Sequence, residues 1–128
     1  MQTPEAFIEA YAAAWQLPPD GKKIAELYHA PCLTLRGDGS FVALQTRADV
    51  IQFFQSVAET YEKLGIVEPS FKDFTSQTMG SRGALATVTW VGRKADGTLV
   101  NEWRVSYNLI EFEGRWLIAL VTTHLAAQ

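Results

Sequence analysis

Apolar side chains recur at helical spacing in the first quarter of the chain and predict two helices. Thr3 is a suitable N-cap for the first helix, with Pro4 at the first helical position and an apolar face formed by Phe7, Ile8, Tyr11 and Trp15. Asp20 is predicted to cap a short second helix that ends before Pro31 and carries Ile24, Leu27 and Tyr28. His29 would then lie at the C-terminal end of the second helix, where a cation complements the helix dipole.

A longer amphipathic segment predicts a third helix. Thr46 is predicted to cap a helix over 47–64, because apolar residues recur there every three or four positions, at Val50, Phe53, Phe54, Val57, Tyr61 and Leu64. Before this helix, the segments 32–36 and 41–44 flank a Gly-Asp-Gly-Ser turn and predict a short β-hairpin. Cys32 lies in the hairpin and is expected to be a small buried hydrophobe.

From residue 67 onward the apolar period changes to two, which is typical of β-strands. Four strands are predicted at 68–79, 84–94, 99–113 and 116–125, separated by turns that contain glycine. Because helices come first and strands last, the sequence predicts an α+β fold with N-terminal helices packed on an antiparallel sheet. A single domain spanning residues 1–128 is expected at this length.

Composition narrows the classes of function. Hydrophobic residues make up 48% of the chain, and 11 basic residues against 14 acidic ones give a net charge of −3. The basic residues are scattered, so no nucleic-acid partner is expected, and no apolar stretch has the length of a membrane span or the form of a leader peptide. A single cysteine excludes a disulfide within the chain, and we expect a cytoplasmic protein. Neither histidine has metal-ligand spacing and no phosphate loop occurs, so no metal or cofactor is expected.

The order of these elements and four sequence segments resemble a known superfamily. The segments are TPEAFIEAYAAAW, IAELYHAPCLTLRGDGSFVALQTRADVIQFF, TVTWVGRK and NLIEFEGRWLI. They resemble the cone-shaped nuclear transport factor 2-like superfamily, which includes ketosteroid isomerases, SnoaL-type polyketide cyclases and scytalone dehydratase. The resemblance covers nearly the whole chain. It implies a strongly curved sheet wrapped around the long helix, with a small-molecule pocket at the open end of the cone.

The resemblance also implies a homodimer, because members of this superfamily commonly associate through the convex face of the sheet. We expect that face to carry Trp103, Val105, Tyr107 and Leu109. Alternation along the strands, aligned on the isomerase pattern, places Trp116 and Ile118 inside the cone. The expected ligand-binding side chains are Trp15, Tyr28, Thr34, Arg36, Phe54, Val57, Val88, Trp90, Arg104, Ser106, Leu120 and Thr122.

The isomerases of this superfamily polarise a carbonyl with a tyrosine on the first helix and an acid on a long strand. The matching positions here are Tyr11 and Asn108, and an asparagine can donate hydrogen bonds at any pH. The family's general base would fall on Arg36, which cannot accept a proton near neutral pH. The expected proton carrier is His124, near the end of the last strand, at the position of the family's pocket mouth.

The resemblance is compatible with two functions. One is a cyclase- or isomerase-like enzyme that performs cofactor-independent acid–base chemistry on a small hydrophobic substrate. The other is a noncatalytic ligand-binding or dimerisation module of the same fold. Arg36 and Arg104 favour an anionic ligand in either case, unless Asp38 and Glu102 neutralise them. A carboxylate or histidine with a shifted pKa facing an open cavity would favour the enzyme, and a filled cone would favour the module.

Overall fold

Three helices lie in the first half of the chain, each with a polar capping side chain at its N-terminus. The computed structural model describes residues 1–126. Its helices are α1 (Pro4–Ala14), α2 (Gly21–Ala25) and α3 (Arg47–Lys63). Thr3 caps α1 by accepting the Ala6 N–H at 3.1 Å, and Thr46 and Asp49 form a capping box on α3. Within the described residues, no helix is both long and apolar enough to cross a membrane.

Six strands within residues 1–126 form one sheet. Their bounds are β1 (Tyr28–Leu35), β2 (Phe41–Leu44), β3 (Glu68–Met79), β4 (Gly83–Arg93), β5 (Leu99–Phe112) and β6 (Arg115–Thr123). The strand order is β2-β1-β6-β5-β4-β3. Four of the five neighbouring pairs are antiparallel, as predicted, whereas β1 and β6 run parallel. The sheet is therefore mixed, and its two hairpin-connected parts meet at the β1–β6 pair.

The second helix is shorter than predicted. It stops at Ala25, and Tyr28, which the apolar spacing assigned to this helix, begins β1 instead. Tyr28 pairs with Ile118 of β6, so a ladder to a distant strand outweighs the local helical pattern. The prediction that His29 ends a helix is therefore wrong. His29 lies on β1 and stacks on Phe112 with ring centroids 4.5 Å apart.

The helices α1 and α3 pack on the inner face of the sheet, and the core lies between them. The largest fully buried side chains are Tyr28, Phe7, Ile8, Ile24, Leu109, Ile118, Val50 and Val88. The predicted stripe of α3 faces this core except at Leu64, which is 49% exposed because it follows the last helical residue. Cys32 is buried as predicted, and burial raises the pKa of its thiol to about 11.

Pairing between β4 and β5 decides which side chains face the helices. On β4 the predicted inward residues Val88 and Trp90 belong to the core, together with Ala84 and Ala86 of the same strand face. Residues directly opposite each other share a face, and Trp90 lies opposite Trp103. The alternation predicted for β5 is therefore wrong by one residue, and each side chain lies on the face opposite to the one predicted. Trp103, Val105, Tyr107 and Leu109 lie inside the cone, and the outer face carries Arg104, Ser106 and Asn108.

A bulge in β6 reverses the faces of its second half. Ile118 lies opposite Leu109, but Leu120 lies opposite Asn108, so Ala119 is an extra residue in the ladder. Up to Ile118 the predicted inward residues are buried. Beyond the bulge, Val121 and Thr123 face inward, and the residues predicted to do so, Leu120, Thr122 and His124, face outward.

Gly21→Ala is expected to destabilise the fold, because α2 and α3 approach each other at this buried glycine. An added Cβ would meet the Ile51 carbonyl oxygen and would lie 2.8 Å from Gln55 Cβ. Such overpacking costs about 1–3 kcal/mol of unfolding free energy, which urea denaturation followed by circular dichroism measures. Gly37→Ala is the matched control, because its Cβ would meet only a methyl group of Thr123 at 3.9 Å. Equal stabilities of the two variants would contradict the prediction.

Candidate ligand-binding site

A cavity of about 260 Å³ lies between α3 and the inner face of the sheet. The C-terminal half of α3, the end of α1 and inner residues of β1, β4, β5 and β6 form its walls. Small-molecule pockets commonly span about 300–1,000 Å³, so this cavity is slightly smaller than that range. A compact ligand of one or two rings matches it.

Nine aromatic side chains line the cavity: Tyr11, Trp15, Tyr28, Phe53, Phe54, Tyr61, Trp90, Trp103 and Tyr107. They hold one another in place, with Tyr28 stacked on Phe54 at a centroid distance of 4.2 Å. Trp15 and Trp103 both contact Tyr61, each at 5.6 Å. These ring contacts favour a pre-formed pocket whose walls match a planar apolar ligand.

Hydroxyl and indole groups give the inner wall its polarity. The hydroxyls of Tyr11 and Tyr28 share a hydrogen bond of 2.6 Å, and Trp90 Nε1 donates to the hydroxyl of Tyr107 at 2.8 Å. Burial is the main cause that raises the pKa of all three phenols well above the usual value of 10. These hydroxyls therefore remain neutral, and the wall offers hydrogen-bond donors without charge.

Charged groups lie at the cavity mouth. The guanidinium of Arg36 lies over the ring of Phe53, 5.3 Å from its centroid. Arg36 forms no salt bridge within the described part of the chain. Glu62 is the carboxylate among the lining residues. Three exposed apolar side chains complete the rim, namely Leu17, Leu64 and Val67.

The structure brings eight of the predicted site residues together around this cavity: Tyr11, Trp15, Tyr28, Thr34, Arg36, Phe54, Val57 and Trp90. Sequence reasoning missed Phe53 and Tyr61, although both belong to the apolar stripe of α3 and helical periodicity could have assigned them. It also missed Trp103 and Tyr107, because assigning them requires the register between β4 and β5.

Six predicted site residues lie on the outer face of the sheet, away from the cavity: Arg104, Ser106, Asn108, Leu120, Thr122 and His124. The reversed register of β5 and the bulge of β6 cause this difference. Val88 faces inward but is fully buried and does not reach the cavity. Asn108 and His124 therefore cannot act with Tyr11 in one site, which corrects the predicted catalytic set.

On the outer face, hydrogen bonds join polar side chains of β4 and β5 to His124, the residue after β6. The hydroxyl of Ser106 lies 2.7 Å from that of Thr87 and 2.8 Å from Nε2 of His124. His124 thus has a hydrogen-bond partner on the side of the sheet opposite the cavity. This row runs from β4 across β5 to the residue after β6.

The two acidic residues that could neutralise the arginines have other partners. Glu102 forms a salt bridge with Lys72, at 2.6 Å between Oε1 and Nζ. Asp38 accepts hydrogen bonds from the hydroxyl and the N–H of Ser40, at 2.6 and 2.9 Å, and these bonds lower the pKa of Asp38. Arg104 donates to the hydroxyl of Thr89 at 2.9 Å. Of the two alternatives that the sequence leaves open, the structure therefore favours unpaired arginines, since neither Arg36 nor Arg104 forms a salt bridge within the described residues.

The sequence matches the family described as NTF2-like protein (DUF6841) over residues 2–126. The chain belongs to this NTF2-like family. The match confirms the resemblance seen in the sequence and the expected cone-shaped α+β fold. No functionally curated protein matches the sequence.

Solved structures share the NTF2-like architecture at low sequence identity. A domain of unknown function with a cystatin-like fold from Nostoc punctiforme has a TM-score of 0.73 and 18% identity, over 99% of this chain and 81% of that one. An NTF-2-like protein of unknown function from Shewanella oneidensis has a TM-score of 0.70 and 12% identity, over 94% and 93%. A protein from Novosphingobium aromaticivorans, provisionally described as an aromatic ring hydroxylase, has a TM-score of 0.68 and 18% identity, over 99% and 94%. These likenesses show the fold alone.

The lining residues define the chemistry available inside this NTF2-like cone. Its ionisable groups are the phenols of Tyr11, Tyr28, Tyr61 and Tyr107, the carboxylate of Glu62 and the guanidinium of Arg36. Neither histidine lines the cavity. Within residues 1–126, no group of three or more His, Cys, Asp or Glu side chains is arranged to hold a metal ion. The arrangement can donate hydrogen bonds to a ligand and attract an anion at the mouth.

Alkaline titration of the NTF2-like domain is expected to show that its buried tyrosines ionise only on unfolding. Burial raises the pKa of Tyr11, Tyr28 and Tyr107 in the folded state, whereas unfolded tyrosines ionise near pH 10. Above about pH 10 the folded state therefore binds more protons than the unfolded state, and stability falls as the pH rises towards the folded-state pKa values. Phenolate absorbance and circular dichroism should change in one transition. A rise in phenolate absorbance near pH 10 for all four tyrosines of the intact fold would contradict this.

Proposed function

We propose that this NTF2-like domain binds a small, planar aromatic carboxylate in its cone. The observation that carries the proposal is the wall of nine aromatic side chains with the guanidinium of Arg36 at its mouth. The rings offer faces and edges to a planar apolar body, and the guanidinium can pair with a carboxylate through two parallel hydrogen bonds. The ligand would thus place its rings inside and its charge at the rim.

The position of Arg36 supports a carboxylate at the mouth. Its guanidinium lies over Phe53, which supports one face of the group and leaves the N–H groups at its edge for an anion. The carboxylate of Asp38 nearby is held by Ser40 in the turn, and Arg36 has no salt bridge in the described chain. An incoming carboxylate would therefore not have to displace a protein carboxylate.

An isomerase- or cyclase-like activity in the same cone is the second candidate. The short hydrogen bond between Tyr11 and Tyr28 favours it, because a phenol that accepts a hydrogen bond is a stronger donor to a substrate carbonyl. Such chemistry also needs a proton acceptor. His124, the predicted one, is on the outer face, so this role would pass to Glu62 at the mouth. Binding requires only the groups that face the cavity, and for that reason we place it first.

Arg36→Ala is expected to weaken binding of 2-naphthoate by about tenfold, or about 1.5 kcal/mol. This value is the lower end of the range for a hydrogen bond to a charged group, and we choose the lower end because Arg36 is exposed to solvent. Binding of the neutral analogue 2-naphthamide should change less than about twofold. Isothermal titration calorimetry measures both affinities. The matched control is Arg115→Ala, which removes an exposed arginine outside the cavity lining. Equal losses for acid and amide, or no preference of the unmutated domain for the acid, would contradict the proposal.

We also propose that the outer face of the sheet forms a homodimer. The residues predicted for this contact, Trp103, Val105, Tyr107 and Leu109, face inward, so the contact must use the opposite side chains. Leu85, Ile110 and Leu120 are only half-buried on the outer face of the single chain. A second copy would cover these apolar side chains and the polar row between them.

Leu120→Glu is expected to convert the dimer to monomer, because a carboxylate on an apolar contact face loses its water on association. Light scattering coupled to size-exclusion chromatography measures the change in mass at micromolar concentration. Leu64→Glu, at the cavity mouth and away from the outer face, is the control and should remain dimeric. An unmutated protein that is monomeric under these conditions would overturn the proposed dimer, since a stable interface of about 1,000 Å² or more should persist.

A further inference from the structure

Tyr61 differs from the other phenols of the cavity wall, because its hydroxyl has no hydrogen-bond partner within the described residues. The hydroxyls of Tyr11 and Tyr28 share a hydrogen bond of 2.6 Å. The hydroxyl of Tyr107 accepts from Trp90 Nε1 at 2.8 Å. Three phenols of the wall are therefore engaged with the protein, and the fourth keeps its hydrogen-bonding capacity for another group.

The hydroxyl of Tyr61 is accessible and its ring is fixed. Among the described residues, the unpartnered side-chain nitrogen or oxygen atom that is closed to water is Trp15 Nε1, so the unpartnered oxygen of Tyr61 is not sealed off. The ring of Tyr61 contacts Trp15 on α1 and Trp103 on β5, each at a centroid distance of 5.6 Å, with interplanar angles of 40° and 42°. A ring held from two sides keeps its hydroxyl in place, so a ligand would meet a preorganised donor.

The hydroxyl of Tyr61 is close enough to Arg36 to sense its charge. Burial raises the pKa of the Tyr61 phenol, and the positive charge of Arg36 offsets part of this rise. The guanidinium lies over Phe53, which lines the cavity from α3 as Tyr61 does. On the inner side, the phenol of Tyr61 also interacts with those of Tyr11 and Tyr107. Tyr61 therefore lies between the neutral inner wall and the cation at the mouth.

We propose that the hydroxyl of Tyr61 is the second donor for the ligand carboxylate, beside the guanidinium of Arg36. This inference rests on the proposed binding function. A neutral phenol donates one hydrogen bond, and a hydrogen bond to an ionised carboxylate is about twice as strong as one to a neutral acceptor. One carboxylate oxygen then faces Arg36 at the rim, and the other faces Tyr61 just inside it.

Two donors at different depths narrow the ligand class to acids whose carboxylate is attached directly to the ring. A ligand ring packed against Trp15 and Trp103 lies at the level of Tyr61, because both indoles contact the ring of Tyr61. A carboxylate attached directly to that ring stays within reach of the hydroxyl. A carboxylate on a flexible chain extends past Tyr61 towards Arg36 and water, and ordering the chain costs conformational entropy.

Tyr61→Phe removes the hydroxyl and keeps the ring, and it is expected to weaken binding of 2-naphthoate by about tenfold. Losses of less than about threefold are expected for the neutral 2-naphthamide and for 3-(2-naphthyl)propanoate, whose carboxylate is carried on a two-carbon chain. Isothermal titration calorimetry measures the three affinities. The matched control is Thr60→Val, because the Thr60 hydroxyl lies outside the cavity lining and donates to the Ser56 carbonyl of the same helix at 3.1 Å. This control should leave all three affinities unchanged.

The Cζ carbon of Tyr61, which carries the hydroxyl, gives an independent readout in the unmutated protein. In a sample labelled with ¹³C in its tyrosines, the four tyrosines give four Cζ resonances, and that of Tyr61 is assigned through its connectivity to the backbone. The acid and the amide carry the same rings, so their ring-current shifts cancel in the comparison. The Tyr61 resonance should move further with 2-naphthoate, because the phenol then donates to a charged oxygen. If Tyr61→Phe does not fold, this comparison decides the question, and equal shifts with both probes would overturn the inference.

Failure of this inference differs from failure of the proposed function. If Arg36→Ala weakens binding of 2-naphthoate and Tyr61→Phe does not, the aromatic carboxylate site stands and the role of Tyr61 falls. Equal losses for acid and amide in Tyr61→Phe would mean that the side chain only shapes the wall, and would also overturn the inference. Equal losses for 2-naphthoate and the propanoate would overturn the narrowed ligand class. If 2-naphthoate does not bind the unmutated domain, both proposals fall.

Discussion

The pairing of Trp90 on β4 with Trp103 on β5 is the constraint on which the cavity depends. Opposite residues share a face, so this one pair places every second side chain of β5 beneath the helices. A slip of one residue would replace Trp103 and Tyr107 inside the cone by Arg104 and Asn108, and would put a charge and an amide into the aromatic wall. The bulge at Ala119 then places Val121 and Thr123, at the far end of β6, on the same inner face.

This register gives the cavity a neutral inner wall and a charged rim. The phenols of Tyr11, Tyr28 and Tyr107 are buried deeply enough to stay neutral, and the cation of Arg36 stays at the rim, where water can still reach it. Carboxylates are kept out of the inner wall, and Glu62 meets the cavity only at its mouth. Acid–base chemistry would depend on Glu62 at the mouth as its base, whereas the proposed recognition needs only hydrogen-bond donors, rings and one cation.

The sequence alone predicted the features that depend on neighbouring residues. Capping residues such as Thr3 and Thr46 and the apolar stripe of α3 located the helices, because helical spacing is a property of neighbouring residues. The faces of β5 and β6 depended on pairing between strands and on one extra residue at Ala119, which no single-strand pattern records. Tyr28 lines the cavity as predicted, yet it does so from a strand rather than a helix, because its ladder to β6 outweighs its helical spacing.

Ring contacts also explain why the cone stays open. Tyr11 meets Trp15, Tyr28, Trp90 and Tyr107 at centroid distances of 5.4–6.0 Å, so the inner wall joins α1, β1, β4 and β5 through one side chain. Aromatic side chains have few rotamers, and rings wedged edge to face cannot rotate into the space beside them. The cavity therefore lacks dispersion contacts that a collapsed core would have. A planar ligand of the proposed kind would restore those contacts, and because it would bind only the folded chain, it would add to the stability of the fold.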